Sequence, residues 1–272
     1  MHKEADMEVK DKVILVTGAS GGIGSALARL LAGKGAMLAL MSRNVKNLNK
    51  LKEELGDNAI AVSGDVGDEK SAEKAIKDTL SYFKKLDVLI NNAGLAYHGS
   101  IEHMDMGAFD SMMKTNVYGV INMIQYSLPY LKKTKGMVVN ISSVASKRAL
   151  PMLGAYSASK SMVDALSDAL RVETMGYGIR VLNFCPPEVD TDFARNAVKE
   201  RGIDFEAQKN LRRVMTLKPE KVARMIVSGI EKEKREIVAM RSIQPANYFV
   251  PGILDKLFYR FIMKPYKDKY SS

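Results

Sequence analysis

The chain has 272 residues, 46% hydrophobic and 26% charged, the balance of a soluble protein that buries one sizeable core. No window holds the run of about 18 apolar residues that a spanning helix needs, and the opening "MHKEADMEVKDK" is too polar for a secretory leader, so a cytoplasmic protein is expected, peripheral at a membrane at most. One cysteine excludes an internal disulfide and, with three histidines, offers no metal-ligand spacing, so no metal is expected; the net charge of +10 suits anionic partners, but neither zinc-finger spacing nor an RNA-binding aromatic pattern accompanies it, and nucleic acid is not expected.

From the start, short apolar runs alternate with helical patterns: "KVILVT", "IGSALARLLAGKG", "AMLALMS", "NLNKLKEEL", "AIAVSGD", "EKSAEKAIKDTLSYF" and "LDVLINNAG". The strand runs show no polar alternation, which is what a parallel sheet covered on both faces requires. A long helix is expected over 106–131, then the strand "GMVVNIS", a helix carrying Tyr156 and the strand "IRVLNFC", in which Cys185 reads as a buried, inert thiol. His98 reads as a solvated loop histidine. After Pro186 the rhythm breaks: 187–218 is polar and basic, with scattered Phe193, Phe205 and Leu211, and reads as a lid. A helix beginning near Pro219 and a short strand restore the pattern. No repeat or linker divides this α/β, doubly wound parallel sheet, so the organisation is a single domain over 10–240, lid included, with an extension over 241–272.

"VILVTGASGGIGSALARLLA" sets Gly18, Gly21, Gly22 and Gly24, with Ser20 and Ile23 among them, between the first strand and the first helix. Glycine lets the backbone approach a pyrophosphate, and the helix start offsets its charge, so this is a dinucleotide-binding turn. The second strand ends at Arg43, about where an acid would hold the adenosine ribose hydroxyl. A guanidinium there binds a 2′-phosphate, with Ser42 and Asn44 as supporting donors, so the cofactor expected is NADP (NADPH).

In "GAYSASKSMVDAL", Tyr156 and Lys160 stand four apart, hence on one helix face, where an ammonium would favour the phenolate. Hydride transfer to a ketone needs a proton donor aimed at the oxygen and a second donor to polarise it. Ser143, ending the strand "MVVNISS", can be that donor, while strand alternation points Ser142 elsewhere.

In order, "TGASGGIG", "GDV", "NNAG", "KTNVYG", Ser143, "YSASK" and "PPEVDT" resemble the short-chain dehydrogenase/reductase family over about 12–237. The resemblance implies a Rossmann-type fold and a catalytic tetrad of Asn116, Ser143, Tyr156 and Lys160, with Tyr156 as general acid/base. It gives Ser143 the carbonyl, Lys160 the nicotinamide ribose as well, and Asn116 a water in a proton relay. It places Asp65 and Val66 at the adenine, and Asn92, Ala93 and Gly94 beside the cofactor. Pro186, Val189 and Thr191 would follow at the nicotinamide and phosphates, although Pro186-Pro187 stands where the family usually has Pro-Gly and removes an N-H. A Pro-Pro pair here also looks like the members that reduce 3-ketosphinganine.

The reading is therefore an NADPH-dependent oxidoreductase interconverting a ketone and a secondary alcohol on an apolar, acyl or lipid-like substrate. A 3-oxoacyl thioester (acyl carrier protein) reductase is one alternative, and a non-catalytic NADP-binding sensor another. Basic lid residues Arg195, Lys199, Arg201, Lys209, Arg212 and Arg213 suit an anionic substrate or acyl carrier protein, or a solvated face. Met112, Met113, Met123, Val163, Leu166 and Leu170 suit a homodimer or homotetramer built on the two central helices, or an internal core. In the extension, Ile253, Leu254, Leu257, Phe258, Phe261 and Ile262 recur at helical spacing with Lys256, Arg260 and Lys264 around them. Three destinations fit this basic amphipathic C-terminal helix within 251–272: an anionic bilayer, the substrate pocket, or another protein surface.

Overall fold

In the computed structural model, which describes residues 7–199, 216–239 and 251–264, the apolar runs form the strands β1 (Val13–Thr17), β2 (Met37–Ser42), β3 (Ala59–Ser63) and β4 (Val88–Asn91), then β6 (Met137–Ile141), β7 (Arg180–Cys185) and β9 (Glu236–Val238). They make one seven-stranded sheet in the order β3-β2-β1-β4-β6-β7-β9, with every pairing parallel. Between them the sequence left unread a small parallel pair, β5 (Tyr97–His98) with β8 (Val198–Lys199). Two residues per strand carry no periodicity from which to predict it.

The helices are α1 (Gly22–Gly33), α2 (Val45–Leu55), α3 (Glu69–Phe83), α4 (Met106–Met113), α5 (Gly119–Thr134), α6 (Gly154–Glu173), α7 (Asp192–Arg195), α8 (Pro219–Glu231) and α9 (Pro251–Phe258). Several start where a side chain accepts from an otherwise unpaired N-H: Asn44 from Asn47, Asp68 from Ser71, Asp105 from Ala108. Pro219 opens α8 after Lys218, where its missing N-H costs nothing.

Strand residues alternate between two apolar layers, which is why the runs are continuous. Ile14, Val16, Leu38, Leu40 and Phe184 pack with α1, α2 and α8 on one face. Val13, Leu15, Ala39, Met41 and Val138 pack with α3, α5 and α6 on the other. The chain winds outward from β1 to β3 and returns to β4 on the other side of β1. The crevice at the carboxyl ends of β1 and β4 is thus the point where the winding reverses, the place where open α/β sheets bind ligands.

The helix expected over 106–131 runs on to Thr134 but is interrupted by a π turn at Lys114–Tyr118, which side-chain periodicity does not reveal. Met112, Met123, Val163 and Leu170 are buried in the chain's own core, so these four do not form an exposed assembly face. His98 is likewise no solvated loop residue: it lies buried in β5.

The extension begins its described part with α9, followed by a π turn at Tyr259–Met263. Its Asp255 pairs with Arg148, whose guanidinium also stands 5.7 Å from the centre of the Phe258 ring. The helix therefore rests on the loop between β6 and α6. No helix among the described residues is long and apolar enough to cross a membrane.

Candidate active site

The glycine turn is locked to the end of β4 by backbone proximity. Gly18 has φ +63, and a Cβ on it would come within 2.9 Å of Ala93 Cα; a Cβ on Gly24 would meet the Gly18 carbonyl oxygen at 2.3 Å. Over Gly21, by contrast, a Cβ would meet nothing within 4 Å, so this part of the turn faces open space. Thr17 holds the two strand ends together: its hydroxyl donates to the Ile90 carbonyl and accepts from the N-H groups of Asn92 and Ala93. The Asn92 amide donates to the carbonyls of Thr17 and Gly18 at 2.9 and 3.2 Å, so its side chain braces the turn from behind. Ile23 is half-buried and packs against the first apolar layer.

At the end of β2 a polar rim continues the crevice. Ser20 and Ser42 share a 2.6 Å hydroxyl hydrogen bond, and Ser42 accepts from the Asn44 N-H. Arg43 reaches Asp65, Nη1 to Oδ2 3.3 Å, while Asp65 Oδ1 accepts from the Gly67 N-H. Val66 is buried, and Gly119 lets it pack, since a Cβ there would stand 2.5 Å from Val66 Cγ2. Two residues assigned separately to phosphate and adenine thus sit in contact.

The catalytic candidates converge at the ends of β6 and β4. Ser143 leaves β6, accepts from the Ala145 N-H at 3.1 Å and is buried. Tyr156 lies in the first turn of α6, half-buried, with the Ser143 side chain close enough to favour its ionised form. Lys160, one turn further on, is buried and donates to the Ile141 carbonyl at 2.8 Å. Ser142 turns away and donates to the Lys160 carbonyl. Deeper along α6, Asn140 donates to Ser167 and Asn183 to Asp164, both at 2.8 Å. These bonds fix the helix and hence the pair.

The expected effect of Lys160 on Tyr156 is outweighed by burial. Burial pushes the phenol up to about 12, against a downward pull from Ser143, and pushes Lys160 down to about 8, against an upward pull from Asp164. The ammonium stands 5.9 Å from the centre of the tyrosine ring, and the phenol remains raised.

Asn116 sits fully buried in the π turn. Its carbonyl accepts from the Leu95 N-H at 2.7 Å, and its amide donates to the Leu95 carbonyl and to Ser159. The side chain is therefore occupied as a clamp on the chain leaving β4. That chain passes through Gly94, where a Cβ would lie 3.4 Å from Asn116 Oδ1 and 3.6 Å from both Lys160 Nζ and Phe193 Cε2. Gly94 marks the floor on which these groups meet.

Of the segment after β7, the Pro186 carbonyl accepts from the Val144 N-H, beside Ser143, and Val189 pairs with Leu217. Thr191 caps α7 and lies against the glycine turn, where a Cβ on Gly22 would be 3.1 Å from Thr191 Cγ2. Phe193 follows, 6.1 Å between ring centres from Tyr156. Phe205, Leu211, Arg201, Lys209, Arg212 and Arg213 lie outside the described residues, as do the side chains of Arg195 and Lys199.

Thr17, Ser159 and the Ile141 carbonyl escaped the sequence reading because hydrogen bonds to backbone leave no spacing signature. A second polar group lies behind α6: Asp164, Cys185 and Glu236 bring their ligand atoms within 4.8 Å of one another. The Lys147 ammonium bridges the two carboxylates at 2.7 and 2.6 Å, and burial holds the Cys185 thiol up at about 12. A cation of the protein thus already sits between these acids.

The sequence profile described as short chain dehydrogenase matches residues 12–202. Dehydrogenase/reductase SDR family member 7B of Bos taurus is 30% identical over 277 residues, covering 97% of this chain and 85% of that protein. The structure of 3-ketoacyl-(acyl-carrier-protein) reductase from Brucella melitensis, complexed with NADH, superposes with a TM-score of 0.76 at 27% identity, over 85% of this chain and 95% of that one. An alcohol dehydrogenase from the archaeon Thermococcus sibiricus, complexed with 5-hydroxy-NADP, gives 0.74 at 30% identity, over 84% and 96%. With the glycine turn, the parallel sheet and the serine, tyrosine and lysine at its edge, these matches make the chain a member of the short-chain dehydrogenase family of oxidoreductases.

Proposed function

We propose that the protein is an NADPH-dependent oxidoreductase that interconverts a ketone and a secondary alcohol on an apolar, acyl or lipid-like substrate. The observation that carries this reading is the meeting of Ser143 and Tyr156 at the mouth of the crevice, with Lys160 buried one helical turn behind. A dinucleotide fits the residues present: the turn at Gly21 is open to backbone approach, and Arg43, Ser20 and Ser42 line the end of β2 where an adenosine phosphate would lie. Gly18, Gly22, Ile23, Gly24, Asp65, Val66, Asn92, Ala93, Gly94, Pro186, Val189 and Thr191 complete the proposed cradle. NADPH, when bound there, supplies the hydride.

In carbonyl reduction the Tyr156 hydroxyl delivers the proton to the substrate oxygen and Ser143 donates a second hydrogen bond to the same atom. A phenol at about 12 is in its acid form at neutral pH, as this direction requires. Lys160, at about 8, is protonated at pH 7, and its charge opposes the cost of forming the phenolate. Because the Asn116 side chain is fully engaged, a water relay at this residue would use its main-chain carbonyl, in a π turn where the ordinary helical bonding is disturbed.

The Brucella neighbour holds NADH and the Thermococcus neighbour an NADP derivative, so the proposed preference rests on Arg43. Likeness to the former, together with the basic lid sequence, also favours a 3-oxoacyl thioester as the substrate. A homodimer or homotetramer would use what α4 to α6 expose, such as Met106, Tyr118 and Met162. The deciding experiment is NADPH oxidation screened over small ketones, 3-oxoacyl thioesters and long-chain keto-lipids. Turnover of one class identifies the substrate chemistry; tight NADPH binding with no turnover of any class would make the protein a sensor, and no binding would end the reading.

A further inference from the structure

Helix α9 has two faces with different partners. Asp255 and Phe258, three residues apart, face the domain, where Arg148 pairs with the first and stands over the ring of the second. Ile253 and Leu257, four apart, lie on another face and are 58% and 43% exposed, with Tyr259 just beyond at 52%. Lys256, Arg260 and Lys264 are exposed around them. Asp255 is the one acid in 251–264, and its charge is engaged by Arg148. The outward side of this segment therefore combines bare aliphatic groups with its own basic side chains, and the following "PYKDKYSS" adds Lys267 and Lys269 against Asp268.

We propose that this outward face docks on an anionic lipid surface. Aliphatic side chains flanked by ammonium groups suit the boundary between acyl chains and phosphate headgroups, where the apolar groups leave water and the cations stay with the phosphates. An acidic protein would match the charge but not the paired bare aliphatics in a helix already anchored from behind. The contact is reversible: one short helix gives limited burial, and the charge contribution falls with salt. Since Arg148 belongs to the loop joining Ser143 to Tyr156, docking would hold the substrate side of the domain close to the lipid. The inference goes beyond the proposed reaction and does not depend on it.

The test is co-sedimentation of the full chain with vesicles of phosphatidylcholine alone and of phosphatidylcholine mixed with phosphatidylglycerol, at low and high salt. Binding is expected to the mixed vesicles at low salt, to fall by about ten-fold or more without phosphatidylglycerol or in high salt, and to fall similarly in Ile253→Asp/Leu257→Asp. Arg148→Ala, on the opposite side of the helix, should still bind. Lys256→Glu/Lys264→Glu provides a charge variant that leaves the aliphatics in place and should lose about ten-fold or more. Parent-like sedimentation of either double variant overturns the proposal. So does a parent that stays in the supernatant with the mixed vesicles, or one that instead binds an acyl carrier protein through Leu257. NADPH affinity and oxidation with a water-soluble ketone, measured on the same variants, should be unchanged. A failure of the reductase reading would appear there and not in the vesicles.

Discussion

Lys160 stands 5.9 Å from the centre of the Tyr156 ring, yet the hydrogen bond it makes is to the Ile141 carbonyl, at 2.8 Å. The four-residue spacing puts both groups on one face of α6, and the sheet edge then buries the lysine and half-buries the tyrosine. Burial disfavours charge on each, raising the phenol and lowering the amine. The pair is thus biased electrostatically toward its neutral forms, and the lysine is held ready by the backbone.

This has a consequence for stability. The Lys160 amine falls from 10.5 to about 8 on folding, so between those values the unfolded chain binds a proton that the folded chain lacks. Stability attributable to this residue therefore rises with pH across that window. Compared with Lys160→Met, the parent should gain about 3 kcal/mol between pH 7 and 10.5, because each tenfold difference in proton affinity between the two states is worth about 1.4 kcal/mol. Urea unfolding of the cofactor-free proteins across that range measures it, and a difference that stays flat with pH would show that the ammonium is not desolvated.

Tyr156→Phe removes one hydroxyl and keeps the ring that faces Phe193. The expected loss is about 10² to 10⁴ in turnover, with NADPH affinity nearly intact. Fluorescence titration and initial rates separate the two. A phenylalanine variant with near-normal rates on a true substrate would remove Tyr156 from the chemistry.

The glycine turn makes a prediction that distinguishes two neighbouring residues. In Gly24→Ala the new methyl would lie 2.3 Å from the Gly18 carbonyl oxygen, so the turn must shift away from β4. A stability loss of about 1–3 kcal/mol is expected, with weaker cofactor binding. Gly21→Ala points into open space and has φ −171, extended backbone that alanine adopts freely. It should unfold within about 0.5 kcal/mol of the parent, yet bind NADPH more weakly if a pyrophosphate approaches there. Denaturation and cofactor titration on both variants decide it.

How much of this is legible in the sequence follows the kind of signal each part carries. The continuous apolar strands, the glycine turn and the helical spacing of Tyr156 with Lys160 are periodic or local features, and the sheet has the doubly wound order they imply. The π turn at Lys114–Tyr118 leaves no trace because the side-chain pattern runs through it. His98 reads as loop because glycine and serine follow it, while Tyr97 and His98 in fact pair with Val198 and Lys199, far along the chain. The apolar residues of α5 and α6 suit either a core or an assembly face, and only packing shows that Met123 and Val163 turn inward. Likewise the sequence marks α9 as amphipathic without revealing that Arg148 claims one side of it.

Arg43 offers the sharpest test of cofactor choice. Its guanidinium pairs with Asp65 at 3.3 Å, but the two side chains are 56% and 39% exposed, so the pair contributes little to stability and leaves donors facing solvent. Replacing it with Arg43→Asp should change unfolding by no more than about 1 kcal/mol. It would set a carboxylate beside Asp65 and the proposed 2′-phosphate. A charge-assisted contact to phosphate is worth about 1.5–3 kcal/mol, or roughly one to two decades of affinity, so the variant should lose NADPH by at least that factor while keeping or improving NADH, which lacks the phosphate. Isothermal titration with both cofactors, on parent and variant, gives the ratio directly. Equal affinity of the parent for NADH and NADPH would mean that Arg43 serves only Asp65, and the assignment of the phosphate site to the end of β2 would fall with it.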